Sequence, residues 1–370
     1  MKSVKFLDLK AQYPKIKEDI LRKFDDIIDN TAFISGKYVQ ELEQSFAGYL
    51  GTKHCIAVDN GTNALLLCML AHGIGAGDDV LVPTNTFIAT AEAVSLAGAK
   101  PVFVDIREDT YLMDLKDAEK RITKKTKAII PVHLFGQCMD MYSVNGFANR
   151  HKLIVVEDAC QAHGAEFKGK KAGTFGRCAA FSAYPGKNLG TWGEGGMVVT
   201  DDDSIAEKIR LMRDHGSRKK YHHEIVGGNF RMSEFQAAVL STKLKYLDEW
   251  NEGRRKNADI YAELLKGNPD IILPTVEENS RPIWHLFVVR IKGKGRDVMI
   301  EHLKKHGIQS GIHYPFPLHM TEAYGHLGYS RGDLPVAERV QDEIISLPMY
   351  AELEREDIDA VCEAIESFFV

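Results

Sequence analysis

Between about residues 53 and 200, short apolar runs rich in β-branched side chains alternate with longer stretches whose apolar positions recur at helical spacing. The short runs predict strands at 55–59, 79–83, 101–105, 128–133, 153–157, 179–182 and 197–200. Helix-like segments lie between several of them, at 62–71, 88–97 and 141–151. Strand and helix in alternation predict an α/β fold, a mostly parallel seven-stranded sheet with helices on both faces. Ligands of such sheets gather beyond the carboxyl ends of the strands.

A long helical pattern at 233–265, rich in Ala, Leu, Lys and Glu, leads away from this unit. After N-P-D at 268–270 the pattern restarts with a strand at 284–291, a helix at 296–306, a strand at 308–313 and then more helix. This reads as a smaller C-terminal α+β domain, which divides the chain into a large domain at 1–245 and a small one at 246–370. Amphipathic segments at 16–28 and 38–49 read as N-terminal helices packing across the large domain.

Composition narrows the function classes. A chain of 370 residues, 44% hydrophobic and 27% charged, can bury a substantial core, and its net charge of −5 gives no reason to expect nucleic acid. The start, M-K-S-V-K-F-L-D-L-K, has no long apolar run, so no signal peptide is expected. No stretch approaches the roughly 20 apolar residues of a membrane helix, so no membrane partner is expected. Six dispersed cysteines without a C-x-x-C pair favour reduced thiols and a cytoplasmic location.

Several motifs fail on inspection. Gly164 and Gly169-Lys170 have the phosphate-loop spacing, but Lys171 stands where Ser or Thr is needed. The pair Gly293-x-Gly295 lacks the third glycine of a dinucleotide fingerprint. His302 and His306 sit one helical turn apart with Leu303 after the first, where a metalloprotease carries Glu, so they read as a wet surface pair and no metal is expected.

Three other segments point together. A predicted strand runs into Asn60-Gly61-Thr62-Asn63 and then an apolar helix, a strand-to-helix turn whose uncovered amides suit an anion. Alone it reads better as a capped helix with nothing bound. In V-E-D-A-C-Q an apolar strand delivers Asp158 at its carboxyl end, as a plain helix cap or as the partner of a protonated ligand nitrogen, and Gln161 could face the same side. In F-S-A-Y-P-G-K, Ser182 and Lys187 lie on a glycine-rich turn. Lys187 reads equally as a solvated surface lysine or as a desolvated amine, nucleophilic toward carbonyls. An anion site, a carboxylate and an amine beside one crevice match the phosphate, ring nitrogen and aldehyde of pyridoxal 5′-phosphate (PLP).

The blocks N-G-T-N-A-L, P-T-N-T-F-I-A-T-A-E-A, V-E-D-A-C-Q-A-H-G-A, F-S-A-Y-P-G-K-N-L-G and G-G-N-F-R-M-S-E-F-Q-A-A-V-L occur in that order. With them the chain resembles the DegT/DnrJ/EryC1/StrS family of sugar aminotransferases, PLP enzymes of the aspartate aminotransferase fold (fold type I). The likeness runs from F-L-D-L-K to I-S-L-P-M-Y. It implies that Lys187 is catalytic and bonds the cofactor's aldehyde carbon, while Asp158 holds the pyridine nitrogen. It places Gln161 by the ring hydroxyl, and Gly61, Thr62, Asn63 and Ser182 at the phosphate. Phe87 would stack on the ring, although the residues alone favour core packing for it. Asn229 is expected to reach the cofactor phosphate of a neighbouring subunit, which implies a homodimer with shared active sites. Gly228 stands where many relatives carry a larger residue, and Cys160 where Ala is frequent.

The implied reaction is ping-pong amino transfer from L-glutamate to a nucleotide-linked ketosugar, at C3 of a dTDP-3-keto-6-deoxyhexose. Amination at C4 of a dTDP- or UDP-4-ketosugar is the alternative. A PLP-dependent dehydratase and a non-enzymatic regulator are rivals on the same fold, and the presence of Lys187 favours transamination. The run G-I-H-Y-P-F-P-L-H resembles segments bordering the sugar in relatives that aminate C3, which makes His313, Tyr314 and His319 substrate-site candidates. By itself that run reads at least as well as a proline-rich connector.

Overall fold

In the computed structural model, which describes residues 3–292 and 295–369, seven strands form one large sheet. They are β1 (His54–Val58), β2 (Asp79–Pro83), β3 (Lys100–Val104), β4 (Thr126–Ile129), β5 (Ile154–Asp158), β6 (Cys178–Ser182) and β7 (Gly196–Thr200). Their order across the sheet is β1-β7-β6-β5-β4-β2-β3. The strands from β3 to β6 are parallel to their neighbours, whereas β7 runs antiparallel to both β6 and β1. Both faces are covered, which is why β2 and β7 are buried at every position and read as continuous apolar runs. Successive side chains on β2 serve opposite cores: Leu81 joins one apolar cluster, and Val80 and Val82 join the other. The parallel strands end at one edge, with Pro83, Ile129, Asp158 and Ser182.

The N-terminal helices Tyr13–Asp29 and Lys37–Leu50 pack on the helix Glu234–Lys243. Gly36 has no side chain with which to cap the second helix, so the cap comes from far along the chain. The buried Glu234 carboxylate accepts the amides of Gly36, Tyr38 and Val39 at 2.6, 2.7 and 3.3 Å. A carboxylate there is also favoured by the positive end of the helix dipole.

Two expected elements differ in the structure. The long helix at 233–265 is two helices, Glu234–Lys243 and Leu247–Leu264, separated by a 3₁₀ turn at Leu244–Tyr246. The apolar spacing Leu240, Leu244, Leu247 suits a continuous helix and an interrupted one alike. The strand expected at 308–313 is reduced to single bridges, from Ile308 to Val4 and from Gly311 to Ser346. The small sheet instead consists of β8 (Ile271–Ile272), β9 (Phe287–Ile291) and β10 (Ile344–Leu347), with β9 central and antiparallel to both. All four residues of β10 are buried, and that burial secures its pairing where the segment around Gly311 offers a broken apolar pattern. The helix Leu247–Leu264 begins in the core of the large sheet at Leu247 and ends in the apolar cluster of the small sheet at Ala258 and Tyr261.

The failed phosphate-loop motif is a hairpin, Glu166–Phe167 paired with Lys170–Lys171. Its two turn residues, Lys168 and Gly169, have φ of +50° and +75°, as a tight two-residue hairpin turn requires. Gly293 lies outside the described residues. His302 and His306 lie with ring centroids 4.4 Å apart and their planes tilted by 42°, and His302 Nε2 bonds the Ala364 carbonyl at 2.9 Å. The pair is thus half-buried against the last helix rather than fully wet. No helix among the described residues is long and apolar enough to cross a membrane.

Beneath the site, Glu157 points to the face opposite Asp158 and is fully buried. Its carboxylate accepts the amides of Gly173, Phe175 and Gly176 at 2.8, 2.7 and 2.6 Å and lies 2.8 Å from His133 Nε2. His133 Nδ1 accepts the Met139 amide at 3.2 Å, so Nε2 carries the proton and donates to Glu157. Glu157→Gln would turn an amide NH₂ toward backbone donors. The expected loss is about 3 kcal/mol of stability, read as a lower denaturant midpoint with unchanged slope. An unchanged midpoint would show that the loop at 173–176 does not depend on the carboxylate.

Candidate active site

The helix Gly61–Ala71 starts at the mouth of a cavity of about 850 Å³ at the carboxyl edge of the sheet. Asn60 caps it: its side-chain oxygen accepts the Asn63 amide at 2.8 Å. The amides of Gly61 and Thr62, which a helix cannot use internally, are left over. Gly61 is glycine for a packing reason, because a Cβ there would lie 2.6 Å from Ser182 Cβ. Asn63 also lines the cavity, but its amide serves the cap and its side chain donates to Asp59 at 2.9 and 3.0 Å.

Asp158 enters from the end of β5 and is 5% exposed. The Thr90 hydroxyl donates to its Oδ2 at 2.7 Å, and the Cys160 amide to its Oδ1 at 3.1 Å. Thr90 is in turn paired with the Thr86 hydroxyl at 2.9 Å. These bonds fix the carboxylate's orientation and leave lone pairs for a cavity ligand. Sequence reasoning missed Thr90; the signal was two threonines four apart at a helix start.

Lys187 lies on the turn after β6, with its amide bonded to the Tyr184 carbonyl at 2.8 Å, and it lines the same cavity as Asp158. The solvated-surface alternative therefore fails. Burial holds its ammonium below the ordinary lysine range, against the opposing pull of Cys160 and Asp158.

Gln161 is fixed at both ends: its oxygen accepts the Phe135 amide at 2.7 Å, and its NH₂ donates to the Tyr314 hydroxyl at 2.9 Å. Phe87 is 53% exposed and lines the cavity, so it is not core packing. Its ring lies 5.7 Å from that of Tyr314. His313 lines the cavity as well, stacked on Phe6 and bonded through Nδ1 to the Ser346 hydroxyl at 2.8 Å. Burial, with the charge of Lys187, pushes its imidazole down to about 4. The connector reading of residues 311–319 thus holds for the backbone, while two of its side chains face the site.

Two candidates fall elsewhere. His319 is buried away from the cavity, with Nδ1 on the Thr84 hydroxyl at 2.8 Å and Nε2 on Glu338 at 3.0 Å. It ties the end of β2 to the helix Pro335–Glu343 and has no ring nitrogen left for a substrate. Asn229 is exposed on an irregular segment bridged to Asp214, and it does not line this chain's own cavity. A Cβ on Gly228 beside it would lie 2.5 Å from the Phe230 ring. That contact explains the departure noted in the sequence.

A family model described as the DegT/DnrJ/EryC1/StrS aminotransferase family matches residues 14–366. The chain belongs to that family. It is 44% identical over 369 residues to a "Pleiotropic regulatory protein" of Geobacillus stearothermophilus, covering 99% of each chain. It is 43% identical over 365 residues to the dTDP-3-amino-3,4,6-trideoxy-alpha-D-glucose transaminase of Streptomyces venezuelae, covering 99% of this chain and 96% of the relative. Among solved structures, S. venezuelae DesV in complex with a ketimine intermediate superposes with a TM-score of 0.97 at 42% identity, covering 100% of this chain and 99% of that one. The ntda protein from Bacillus subtilis with bound cofactor PMP gives 0.92 at 32% identity, covering 99% of this chain and 85% of that one. The likeness extends over the whole chain, so this family member carries the aminotransferase fold that its sequence blocks imply.

Proposed function

We propose that this aminotransferase-family chain moves the amino group of L-glutamate to a nucleotide-linked ketosugar, at C3 of a dTDP-3-keto-6-deoxyhexose. The observation that carries the reading is that Asp158, Lys187 and the open helix terminus at Gly61 face one cavity. PLP is the cofactor: the residues present fit it, with Gly61 and Thr62 amides and the Ser182 hydroxyl for the phosphate, Asp158 for the ring nitrogen, and Phe87 and Gln161 for the ring's face and hydroxyl side. Asn63, whose amide and side-chain NH₂ are engaged, would shape the phosphate end rather than donate to it. When bound, PLP supplies an aldehyde carbon that takes up the amino group and a protonated ring that withdraws electrons.

The chain's own part is proton traffic and exclusion of water. Lys187 Nζ, with its basicity lowered by burial, takes the proton from the donor carbon that bears nitrogen and later delivers one to the sugar carbon. Asp158 presents its carboxylate to the ring nitrogen, oriented by Thr90 and the Cys160 amide. His313 and Tyr314 border the part of the cavity left for the sugar. Exposed Asn229 supports a homodimer in which it reaches the site of a neighbouring copy. The proposed location is the cytoplasm, where the six thiols stay reduced.

The test incubates the protein with glutamate and a panel of dTDP- and UDP-linked 3-keto and 4-keto sugars, and locates the new nitrogen by mass spectrometry and NMR. Expected are 2-oxoglutarate and a 3-amino sugar nucleotide. Turnover of the 4-keto sugars alone would move the amination to C4. No 2-oxoglutarate from any pair would leave the dehydratase or regulator reading standing.

A further inference from the structure

The helix Leu247–Leu264 brings two polar side chains, one turn apart, to the turn that carries Lys187. Asn251 Oδ1 accepts from Nδ2 of Asn188, the residue next to Lys187, at 2.8 Å. Arg254, three residues on and so on the same helix face, lines the cavity together with Lys187. A second route ties it to the same turn. Its Nη1 donates to the His285 carbonyl at 3.2 Å, and His285 Nδ1 lies 3.2 Å from Asn188 Oδ1.

Arg254 is 3% exposed, and a guanidinium buried so far ordinarily ends on a carboxylate. This one ends on carbonyls. Nη1 is shared among those of Trp284, His285 and Met349 at 3.1, 3.2 and 3.0 Å. A guanidinium has five N–H groups, so three remain, one on Nε and two on Nη2. Among the described residues these three have no hydrogen-bond partner, and neither nitrogen is sealed off from open space. Of the carboxylates nearby, Asp158 is bonded to Thr90 and the Cys160 amide, and Glu352 feels the charge of Arg254 although neither of its oxygens has a hydrogen-bond partner. Burial pushes the guanidinium down to about 10, which leaves it charged at neutral pH. A fixed cation with three unused donors thus borders the cavity beside the reactive amine.

We infer that Arg254 binds a carboxylate of the amino donor, with Nε and Nη2 taking it as a bidentate pair while Nη1 stays on the carbonyls that anchor it. The planar fork matches a carboxylate, and an ion pair there would offset a buried charge that the protein leaves uncompensated. An amino acid donor carries one carboxylate on the same carbon whose proton Lys187 takes, so an anion site tied to the Lys187 turn lies where that group arrives. The diphosphate of a nucleotide-linked sugar is the other anion of the reaction. It is flanked by two sugars, whereas a guanidinium this enclosed suits a small terminal anion. The inference rests on the proposed glutamate donor and adds the residue that selects it.

The probe is glutarate, which has both carboxylates of glutamate and no amino group to react with the cofactor. Its binding to the PLP-loaded full-length enzyme is measured by calorimetry, and circular dichroism and cofactor absorbance confirm that each variant folds and loads. Arg254→Gln should weaken glutarate by about 10- to 100-fold. Arg254→Lys, which keeps the charge and loses the fork, should weaken it less. Binding of dTDP, which carries the diphosphate without the sugar acceptor, should be the same in both variants as in the wild type. In the half-reactions, Arg254→Gln should raise the KM for glutamate, while a ketosugar converts the pyridoxamine-loaded form at the wild-type rate; a purely structural role would slow both. No glutarate binding by the wild type, an unchanged affinity in Arg254→Gln, or a loss of dTDP binding in its place overturns the inference. Should the Gln variant not fold, a crystal structure of the wild-type enzyme grown with glutarate decides. A carboxylate on Nε or Nη2 of Arg254 supports the site, and glutarate elsewhere or absent overturns it. Glutarate binding needs no turnover, so failure to aminate any sugar would sink the proposed function and leave this result standing.

Discussion

Lys187→Ala is expected to lower amino transfer by about 10³-fold or more, because it removes the proposed proton carrier and the amine proposed to engage the cofactor aldehyde. The measurement is release of 2-oxoglutarate from glutamate in a single half-reaction, which needs no knowledge of the sugar. Lys187→Arg makes a sharper companion. It keeps a positive charge at the same turn, but a guanidinium stays protonated at any working pH and offers no lone pair. Both variants should therefore be inactive to a similar degree. Retention of activity within about tenfold of wild type in either would remove Lys187 from the chemistry. The turn itself should survive, since its geometry rests on the backbone bond from the Lys187 amide to the Tyr184 carbonyl and on Asn188, both unchanged by the substitution.

The second large effect is expected at Asp158. Asp158→Asn keeps the shape and removes the charge that would hold the ring nitrogen protonated, for an expected loss of about 10²- to 10³-fold in the same half-reaction. The fold should tolerate it. The asparagine oxygen can still accept the Cys160 amide, and the Thr90 hydroxyl can rotate to accept from the new NH₂ while donating to Thr86. The prediction is thus a catalytic loss with a thermal midpoint close to wild type. A variant that transfers amino groups at the wild-type rate would mean that the carboxylate is only a turn cap. That was the bland reading of V-E-D-A-C-Q.

These two predictions contrast with Glu157→Gln one residue away. Because strand side chains alternate, the neighbour of a ligand-facing carboxylate serves the opposite face, where it ties down the loop at 173–176. Adjacent acids thus separate cleanly into one expected to affect chemistry and one expected to affect stability.

Much was legible in one dimension. The strand Asp79–Pro83 and the helix Met141–His151 fall where periodicity places them, and the other main-sheet strands shift by a residue at their ends, except the one expected at 128–133, which is found at Thr126–Ile129. Buried parallel strands announce themselves as unbroken apolar runs. Gly61, Asp158 and Lys187 were legible for a similar reason: each sits within a few residues of a strand end, so local order alone brings it to the carboxyl edge. The small sheet was less so. The segment Ile344–Leu347 becomes a strand because β9 is there to pair with its buried residues, and the segment at 308–313, with its apolar pattern broken around Gly311, makes only single bridges.

The chain's order of residues determined the fold class, the edge of the sheet that would be used, and the short-range pieces of the site, since all of these follow from periodicity and from what a strand end or helix start exposes. Only the tertiary structure decided which distant side chains complete those pieces. Thr90 reaches Asp158 across 68 positions, and His285 reaches Asn188 across 97. His319 was drawn to Glu338 and Thr84 and away from the cavity. The physical reason is that a hydrogen bond is satisfied by whichever partner packing delivers, and no spacing along the chain encodes that delivery.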